Sequence, residues 1–340
     1  MTTANEQPRK AASDDTAARR GTSLRGQSAL VTGASRGLGL MIARELAAQG
    51  CRLLICARDG EALERAAQDL RARGAQVHAV ACDLTAAETP ERLMAAAREH
   101  LRGLDLLVNN AGVIQVGPLD AMVEDDFRSA METMFFAPLR LVLAAVPLMR
   151  ERGGGRIVDI TSIGGRIAAP HLLAYAAAKF AATGLSEGLR AELAPSNIQV
   201  TTVVPGLMRT GSHGAARFSG QAGQEYAWFA AAASLPLLSM DGERAARAIV
   251  RAAERGRPEL VLTPAAKIAV RAHGLAPATT VRALTLADRL LPKPGLAPDH
   301  NVPGTGAARS LGSRAISLMT TLGDRAARRN NEPGNETAPS

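Results

Sequence analysis

The run Thr32-Gly33-Ala34-Ser35-Arg36-Gly37-Leu38-Gly39 constrains this chain more than any other feature. It follows a short apolar stretch, Ser28-Ala29-Leu30-Val31, and precedes a helix-like one, Leu40-Met41-Ile42-Ala43-Arg44-Glu45-Leu46. The whole reads as a strand, a glycine turn and a helix start. Gly33 permits the tight turn, Gly37 lets the backbone approach a pyrophosphate, and Gly39 lets the helix pack near the strand. The N-terminus of such a helix presents unpaired N–H groups and a positive dipole end to an anion.

The chain then repeats this alternation. Apolar runs recur at 28–32, 52–57, 76–81, 104–109, 155–161, 198–204 and 259–263, and helical patterns occupy 38–49, 60–73, 88–102, 124–150, 172–194 and 243–255. Such a pattern predicts an α/β fold, a doubly wound sheet of seven parallel strands with helices on both faces. The 340 residues allow one such domain, over 26–264, plus extensions. Aromatic residues make up only 3% of a chain that is 46% hydrophobic, so the core must be built from Ala, Val, Leu and Ile. Asp59, ahead of Gly60-Glu61-Ala62, reads as a helix N-cap, and Gly50 and Gly74 stand where helices stop. Residues 211–240 are rich in Gly, Ala and Ser and hold the single Trp, Trp228, with Phe218, Tyr226 and Phe229. They are expected to form an irregular, mobile lid.

After residue 264 the pattern changes. Residues 265–329 read as a basic amphipathic helical extension. Within it, 265–291 form one or two helices broken near Pro277, 292–308 a linker, and 309–329 a basic helix. Residues 1–25, which lack the apolar core of a signal peptide, and 330–340 read as disordered tails. The formal net charge is +8, and it is concentrated: residues 242–330 carry 15 Lys and Arg against 6 Asp and Glu. Such a tract suits a solvated helical surface or a peripheral contact with anionic lipid. The expectation is that its apolar residues pack on the domain. Interleaved aromatics are missing, which argues against nucleic acid. No run reaches the ~18 consecutive apolar residues of a membrane span. Cys51, Cys56 and Cys82 are odd in number and lie in or beside predicted strands, so they predict no disulfide framework and a cytoplasmic setting. No His/Cys/Asp/Glu cluster has metal-ligand spacing, so no metal site is expected.

Three further residues carry chemistry. Tyr175 and Lys179 stand four apart on a predicted helix and share a face. An ammonium beside a phenol favours the phenolate and would lower the tyrosine pKa from about 10, making Tyr175 a general acid and base. Ser162 ends the strand Arg156–Thr161, outside the carboxyl edge where such sheets bind ligands. Its hydroxyl can donate to a substrate oxygen.

With these residues in place, the sequence resembles the short-chain dehydrogenase/reductase family over roughly residues 25–265. The resemblance rests on the glycine run at 32–39, Cys82-Asp83-Leu84, Asn109-Asn110-Ala111-Gly112, the Ser162, Tyr175 and Lys179 set, and Pro205-Gly206-Leu207-Met208-Arg209-Thr210. It implies a Rossmann-type oxidoreductase. Tyr175 would exchange a proton with the substrate oxygen, Ser162 would orient that oxygen, and Lys179 would tune the tyrosine and hold the nicotinamide ribose. It implies that Gly33, Ser35, Arg36, Gly37, Leu38 and Gly39 cradle the dinucleotide. Asp83 and Leu84 would contact the adenine, and Asn109, Asn110, Ala111 and Gly112 would line the adenosine ribose side. Pro205, Gly206 and Thr210 would hold the nicotinamide end. Family members commonly form dimers or tetramers through two long helices, here 124–150 and 172–194. One position departs from the family pattern: Met134 stands where many members carry an asparagine that holds a proton-relay water. A thioether donates no hydrogen bond, so Thr133 or a backbone carbonyl would have to hold that water.

The second apolar run ends in Ala57-Arg58-Asp59. Two guanidinium groups, Arg58 and Arg36, suit a 2′-phosphate, so NADP(H) is expected over NAD(H). Asp59 fits the ribose-binding acid of NAD enzymes by its distance from the glycine run, but is read as a cap. The loop between Ser162 and Tyr175, including Ile163, Pro170 and His171, and the lid residues Met208, His213, Phe218, Tyr226, Trp228 and Phe229 are expected to border an apolar carbonyl or alcohol substrate. A non-catalytic dinucleotide-binding member of the fold is the alternative, and Met134 is the feature that favours it.

Overall fold

A computed structural model describes residues 23–234, 239–311 and 329–331. Seven strands, β1 (Ser28–Thr32), β2 (Arg52–Ala57), β3 (Val77–Ala81), β4 (Leu106–Asn109), β5 (Gly155–Ile160), β6 (Ile198–Val204) and β7 (Glu259–Val261), form one sheet in the order β3-β2-β1-β4-β5-β6-β7. Every pairing in it is parallel. The first connections run one way from β1 and the later ones run the other way. The order therefore reverses between β1 and β4, which opens a crevice at the carboxyl ends of those two strands.

Both faces are buried, which is why the strands read as near-continuous apolar runs. Along β1, Ala29 and Val31 join Leu53, Ile55 and Val108 under α1 (Gly37–Ala48). Leu30 points the other way, with Leu54, Leu107, Ile157 and Val200. The second face is covered by α3 (Thr89–Leu101) and α4 (Glu124–Glu151), and α2 (Gly60–Ala72) packs beside β3. Four of the helices over the sheet thus follow directly from predicted segments. α4 is long and apolar enough to cross a membrane, but its Leu141, Val142 and Ala145 are buried in the core beneath it. It is not uniform: Glu132–Phe136 form a π turn within it, a local widening that often marks functional sites.

The C-terminal half departs further from expectation. Residues 211–240, expected to be irregular, contain a short helix at Ser212–Ala215, a strand at Arg217–Gly220 and a helix, α6 (Ala222–Ser234). The alanines that made this stretch look like a loop are strong helix formers. α5 (Leu173–Leu193) precedes this region and α7 (Gly242–Glu254) follows it, with α7 packed on α1. The expected break at Pro277 is present, between α8 (Pro264–Leu275) and α9 (Pro277–Asp288). These two helices do not bury an apolar side against the domain; Ala266 is their only fully buried residue.

Of the expected linker at 292–308, residues 292–298 are irregular, but 299–308 form a strand and a helix start. Asp299–Pro303 pairs antiparallel with Arg217–Gly220, which in turn pairs with Gln115–Val116, and α10 (Gly304–Leu311) packs on α6. The pairing partner lies about 80 positions back in the chain, so nothing local in 292–308 announced it. Of the expected basic helix at 309–329, residues 312–328 lie outside the described residues, as do 1–22 and 332–340 of the expected tails. Leu24 is buried and its carbonyl accepts the Cys51 thiol hydrogen at 3.2 Å. Asn330 is buried as well, so the described ends of both tails are packed.

Candidate active site

The crevice between β1 and β4 is fixed by one threonine. The Thr32 hydroxyl accepts hydrogen bonds from the backbone N–H groups of Asn110 (2.9 Å) and Ala111 (3.1 Å). The Asn110 amide donates back to the Thr32 carbonyl at 2.9 Å. The glycine turn closes onto this clasp. A Cβ on Gly39 would lie 2.3 Å from the Gly33 carbonyl oxygen and 2.5 Å from the Asn110 amide nitrogen, so only glycine allows α1 to start this close to β1.

A cleft of about 420 Å³ lies above the clasp. Gly33, Ser35, Arg36, Leu38 and Gly39 form one wall, and Arg58, Asp83 and Leu84 another. Asn110, Ala111 and Gly112 floor it, and Tyr175, Lys179, Pro205 and Thr210 stand at the far end. Most of the residues expected around a dinucleotide therefore share one cavity. Three do not border it. The Gly37 N–H is taken up by the Asn330 carbonyl at 2.9 Å. Gly206 packs toward Thr263, whose hydroxyl would stand 2.6 Å from a Cβ there. Asn109 turns inward, its amide donating to Asp159 at 2.9 Å.

The adenosine-side wall sets Arg36 and Arg58 beside Asp59 and Asp83. Asp59 borders the cleft but also caps α2, accepting the Ala62 N–H at 3.0 Å. Asp83 is committed too: one oxygen accepts both the N–H and the hydroxyl of Thr85, at 2.9 and 2.8 Å. The Thr85 N–H bond is the main cause holding its carboxyl below the usual range, with the Arg58 charge adding to the effect.

Ser162 does not itself line the cleft: it caps a 3₁₀ turn, accepting the Gly164 N–H at 3.0 Å, and its side chain hydrogen-bonds Tyr175, which does. This turn lies flat on α5 because a Cβ on Gly165 would come 2.5 Å from the Lys179 carbonyl. The Tyr175 phenol departs from expectation. Burial raises its pKa above the ordinary value, and the Ser162 hydrogen bond only partly offsets this. The charge on Lys179 does not reverse the shift. Its ammonium donates to the Ile160 carbonyl at 2.8 Å and stands 5.9 Å from the Tyr175 ring centroid. Burial lowers the Lys179 pKa to about 8, against the opposing pull of Asp159. Met134 occupies the π turn, fully buried beside Ala130, Ala174 and Ala178, while its neighbour Thr133 lines the cleft.

Two groups were missed from the sequence. Asp159 sits in β5 between Val158 and Ile160, buried, with its pKa raised by desolvation, and it faces the Lys179 charge. An acid inside an apolar strand run was the available signal. Glu225, fully buried in α6, binds His171 Nδ1 at 2.8 Å and accepts the Trp228 indole N–H at 2.7 Å. His171 is therefore a structural partner that ties the loop before Tyr175 to the lid. The lid aromatics also differ from expectation. Phe218, Tyr226 and Phe229 do not border the cleft; they pack edge-to-face and, with Val116, Ala216 and Ala307, make a core of the lid's own. His213 is buried against Tyr226. Met208 borders the cleft as expected, joined by Val113, Ile114, Ala215, Ala216 and Arg217.

Comparison with known proteins gives a consistent picture. The family model for short chain dehydrogenases matches residues 27–218. A curated relative, dehydrogenase/reductase SDR family member 4 of Rattus norvegicus, is 37% identical over 54% of this chain, a match that spans 66% of that relative. A short-chain dehydrogenase from Streptomyces avermitilis is 33% identical, with a TM-score of 0.67 over 77% of this chain and 97% of its own. L-sorbose reductase of Gluconobacter frateurii, solved with NADPH and L-sorbose, is 25% identical, with a TM-score of 0.64 over 72% of this chain and 97% of its own.

Proposed function

The chain belongs to the short chain dehydrogenase family, and from that premise we propose that it is an oxidoreductase moving hydride between NADP(H) and a carbonyl or alcohol substrate. The observation that carries this reading is the single cleft that joins the glycine turn to Tyr175 and Lys179. Its donor set suits a dinucleotide: a glycine turn with a helix N-terminus behind it, and arginines at the adenosine end. The NADPH held by the Gluconobacter reductase supports the same class of cofactor. Arg36 and Arg58 line the cleft while Asp59 caps α2, a combination that favours NADP(H).

The bound nicotinamide supplies hydride chemistry; the side chains manage the proton and the geometry. Ser162 orients the substrate oxygen and Tyr175 gives it a proton during reduction. A phenol held above its ordinary pKa keeps that proton until charge develops on the substrate. Lys179 would offer a buried cation to the nicotinamide ribose. Thr133 supplies the hydroxyl for a relay water in place of the side chain that Met134 lacks. The substrate body lies against Val113, Ile114, Met208 and Ala215, an apolar seat with Arg217 at its edge. Phe136 and Leu143 of α4 and Leu173 and Phe180 of α5 are exposed, and a second copy of the chain would cover them. Three free, buried cysteines suit a reducing, cytoplasmic setting. Met134 alone favours a second reading, a non-catalytic dinucleotide-binding protein.

Fluorescence titration with NADPH and NADH, on wild type and Arg58→Ala, tests the reading. NADPH should bind more tightly than NADH, and the mutation should remove about tenfold of that preference, the scale of one charge-assisted phosphate contact. Tight NADH binding untouched by the mutation would move the ribose contact to Asp59. No binding of either would leave the non-catalytic reading without its ligand and the enzyme reading refuted.

A further inference from the structure

We propose that the α8–α9 hairpin is a docking surface for an anionic membrane. The two helices pack on each other and leave large apolar side chains in water. Ile268 is 69% exposed, Leu275 88%, Leu286 60% and Leu290 88%. Ile268 and Leu275 share a face of α8, Leu286 lies on α9, and Leu290 lies in the turn just after it. Soluble proteins rarely leave such a patch without a partner.

Charge identifies the partner. Residues 264–296 carry Lys267, Arg271, Arg282, Arg289 and Lys293 against a single acid, Asp288. None of the five cations makes a side-chain ion pair among the described residues. Asp288 leans toward the domain, 3.7 Å from His171 Nε2. A two-fold pairing of two copies through this face would set cations against cations, which argues against a second copy as the occupant. An anionic bilayer satisfies both features at once. The leucines enter the acyl boundary, while the basic side chains lay their stems along it and keep their charges at the headgroups. The surface is anchored beside the cleft. The Thr263 hydroxyl caps α8, accepting the Ala266 N–H at 3.2 Å, and packs against Gly206 next to the Pro205 wall. Docking would therefore hold the substrate end of the cleft close to lipid.

The test is cosedimentation of the full chain with vesicles of phosphatidylcholine alone or of phosphatidylcholine mixed with phosphatidylglycerol. Two variants accompany it, I268D/L275D/L286D and R271E/R282E/R289E. All six side chains are exposed, so circular dichroism and dinucleotide titration should match wild type. Wild type should pellet with the phosphatidylglycerol vesicles at low salt and not with phosphatidylcholine alone, and added salt should release it. The arginine variant should lose at least about fivefold per position, and the apolar variant should lose binding even at low salt. Wild type that ignores phosphatidylglycerol vesicles overturns the proposal, including the case where the same variants abolish self-association and reveal a protein interface. Equal pelleting of wild type and both variants overturns it as well, because lipid would then be bound elsewhere.

Discussion

The dinucleotide half of the cleft, residues 28–112, and the lid half, residues 205–311, are ordered by different kinds of contact. In the first half the determinants are close in sequence or fixed by neighbouring parallel strands: the glycine turn, the Asp59 cap, and the Thr32–Asn110 clasp between β1 and β4. In the lid half they are long-range. Arg217–Gly220 needs Asp299–Pro303 and Gln115–Val116 for its sheet, and His300 reaches back to the buried Asp126 at 3.0 Å. The first half is a scaffold that any chain with these motifs must build. The lid is a second small core whose register depends on pairing across the chain, and loops of this kind carry specificity.

If the chemistry lies on α5 between the two halves and the lid only admits substrate, the largest effect belongs to Tyr175. Tyr175→Phe should lower kcat by about 10²- to 10⁴-fold, the usual share of a general acid. Dinucleotide affinity should stay close to wild type, because the phenyl ring and Lys179 remain. Steady-state kinetics beside a binding titration separate the two. A variant that keeps its turnover would remove Tyr175 from the proton path.

The next effect tests whether the lid is a separate core. Phe218 is fully buried among Val116, Tyr226 and Phe229, and Phe218→Ala should cost about 3–5 kcal/mol. The loss should appear in hydrogen exchange of 217–230 and 299–311, with KM raised, while amides of β1 to β4 keep their protection. Faster exchange throughout the sheet would show that the two halves unfold as one and would break the comparison.

Lys179 probes the junction between the halves. Its pKa in the folded chain is about 8, below the ordinary 10.5, because its ammonium is buried. Between those values the unfolded chain holds a proton that the folded chain has released. Stability from this group therefore rises with pH across that window, and the penalty is fully present below about 8. Denaturant midpoints of wild type should climb relative to Lys179→Met over this range, by about 3 kcal/mol in total at 1.36 kcal/mol per unit. Parallel curves for the two proteins would mean that Lys179 is well solvated.

The same division explains what could be read in advance. The seven strands, their helices, the glycine turn and the Ser162, Tyr175 and Lys179 set were legible because each rests on local period, turn chemistry or i,i+4 spacing. The Tyr175 pKa was not, because the local pairing with Lys179 suggests a lowered value whereas burial, a tertiary property, raises it. The lid aromatics looked like a substrate pocket because composition cannot tell a ring that faces a ligand from one that faces another ring. The strand at 299–303 was hidden for a related reason. Its sequence, Asp299-His300-Asn301-Val302-Pro303, has little strand propensity, and pairing with 217–220 is what orders it.

The smallest predicted effect bears on the scaffold half alone. Asp59 stands where two readings compete, an acid for the ribose hydroxyl of NAD or a cap for α2. The structure shows its carboxylate on the Ala62 N–H at 3.0 Å, with backbone angles that place it just outside the helix. Asp59→Ala should then cost about 1 kcal/mol of stability, the usual worth of an N-cap. Asp59→Asn, which keeps an accepting oxygen, should recover most of that. The ratio of NADPH to NADH affinity should barely change in either variant, because Arg36 and Arg58 remain. A ribose-binding acid gives the opposite pattern. Both variants would then weaken NADH severalfold and leave NADPH untouched, and the asparagine would not rescue. Thermal melts and paired titrations on the two variants therefore decide whether position 59 belongs to the helix or to the ligand.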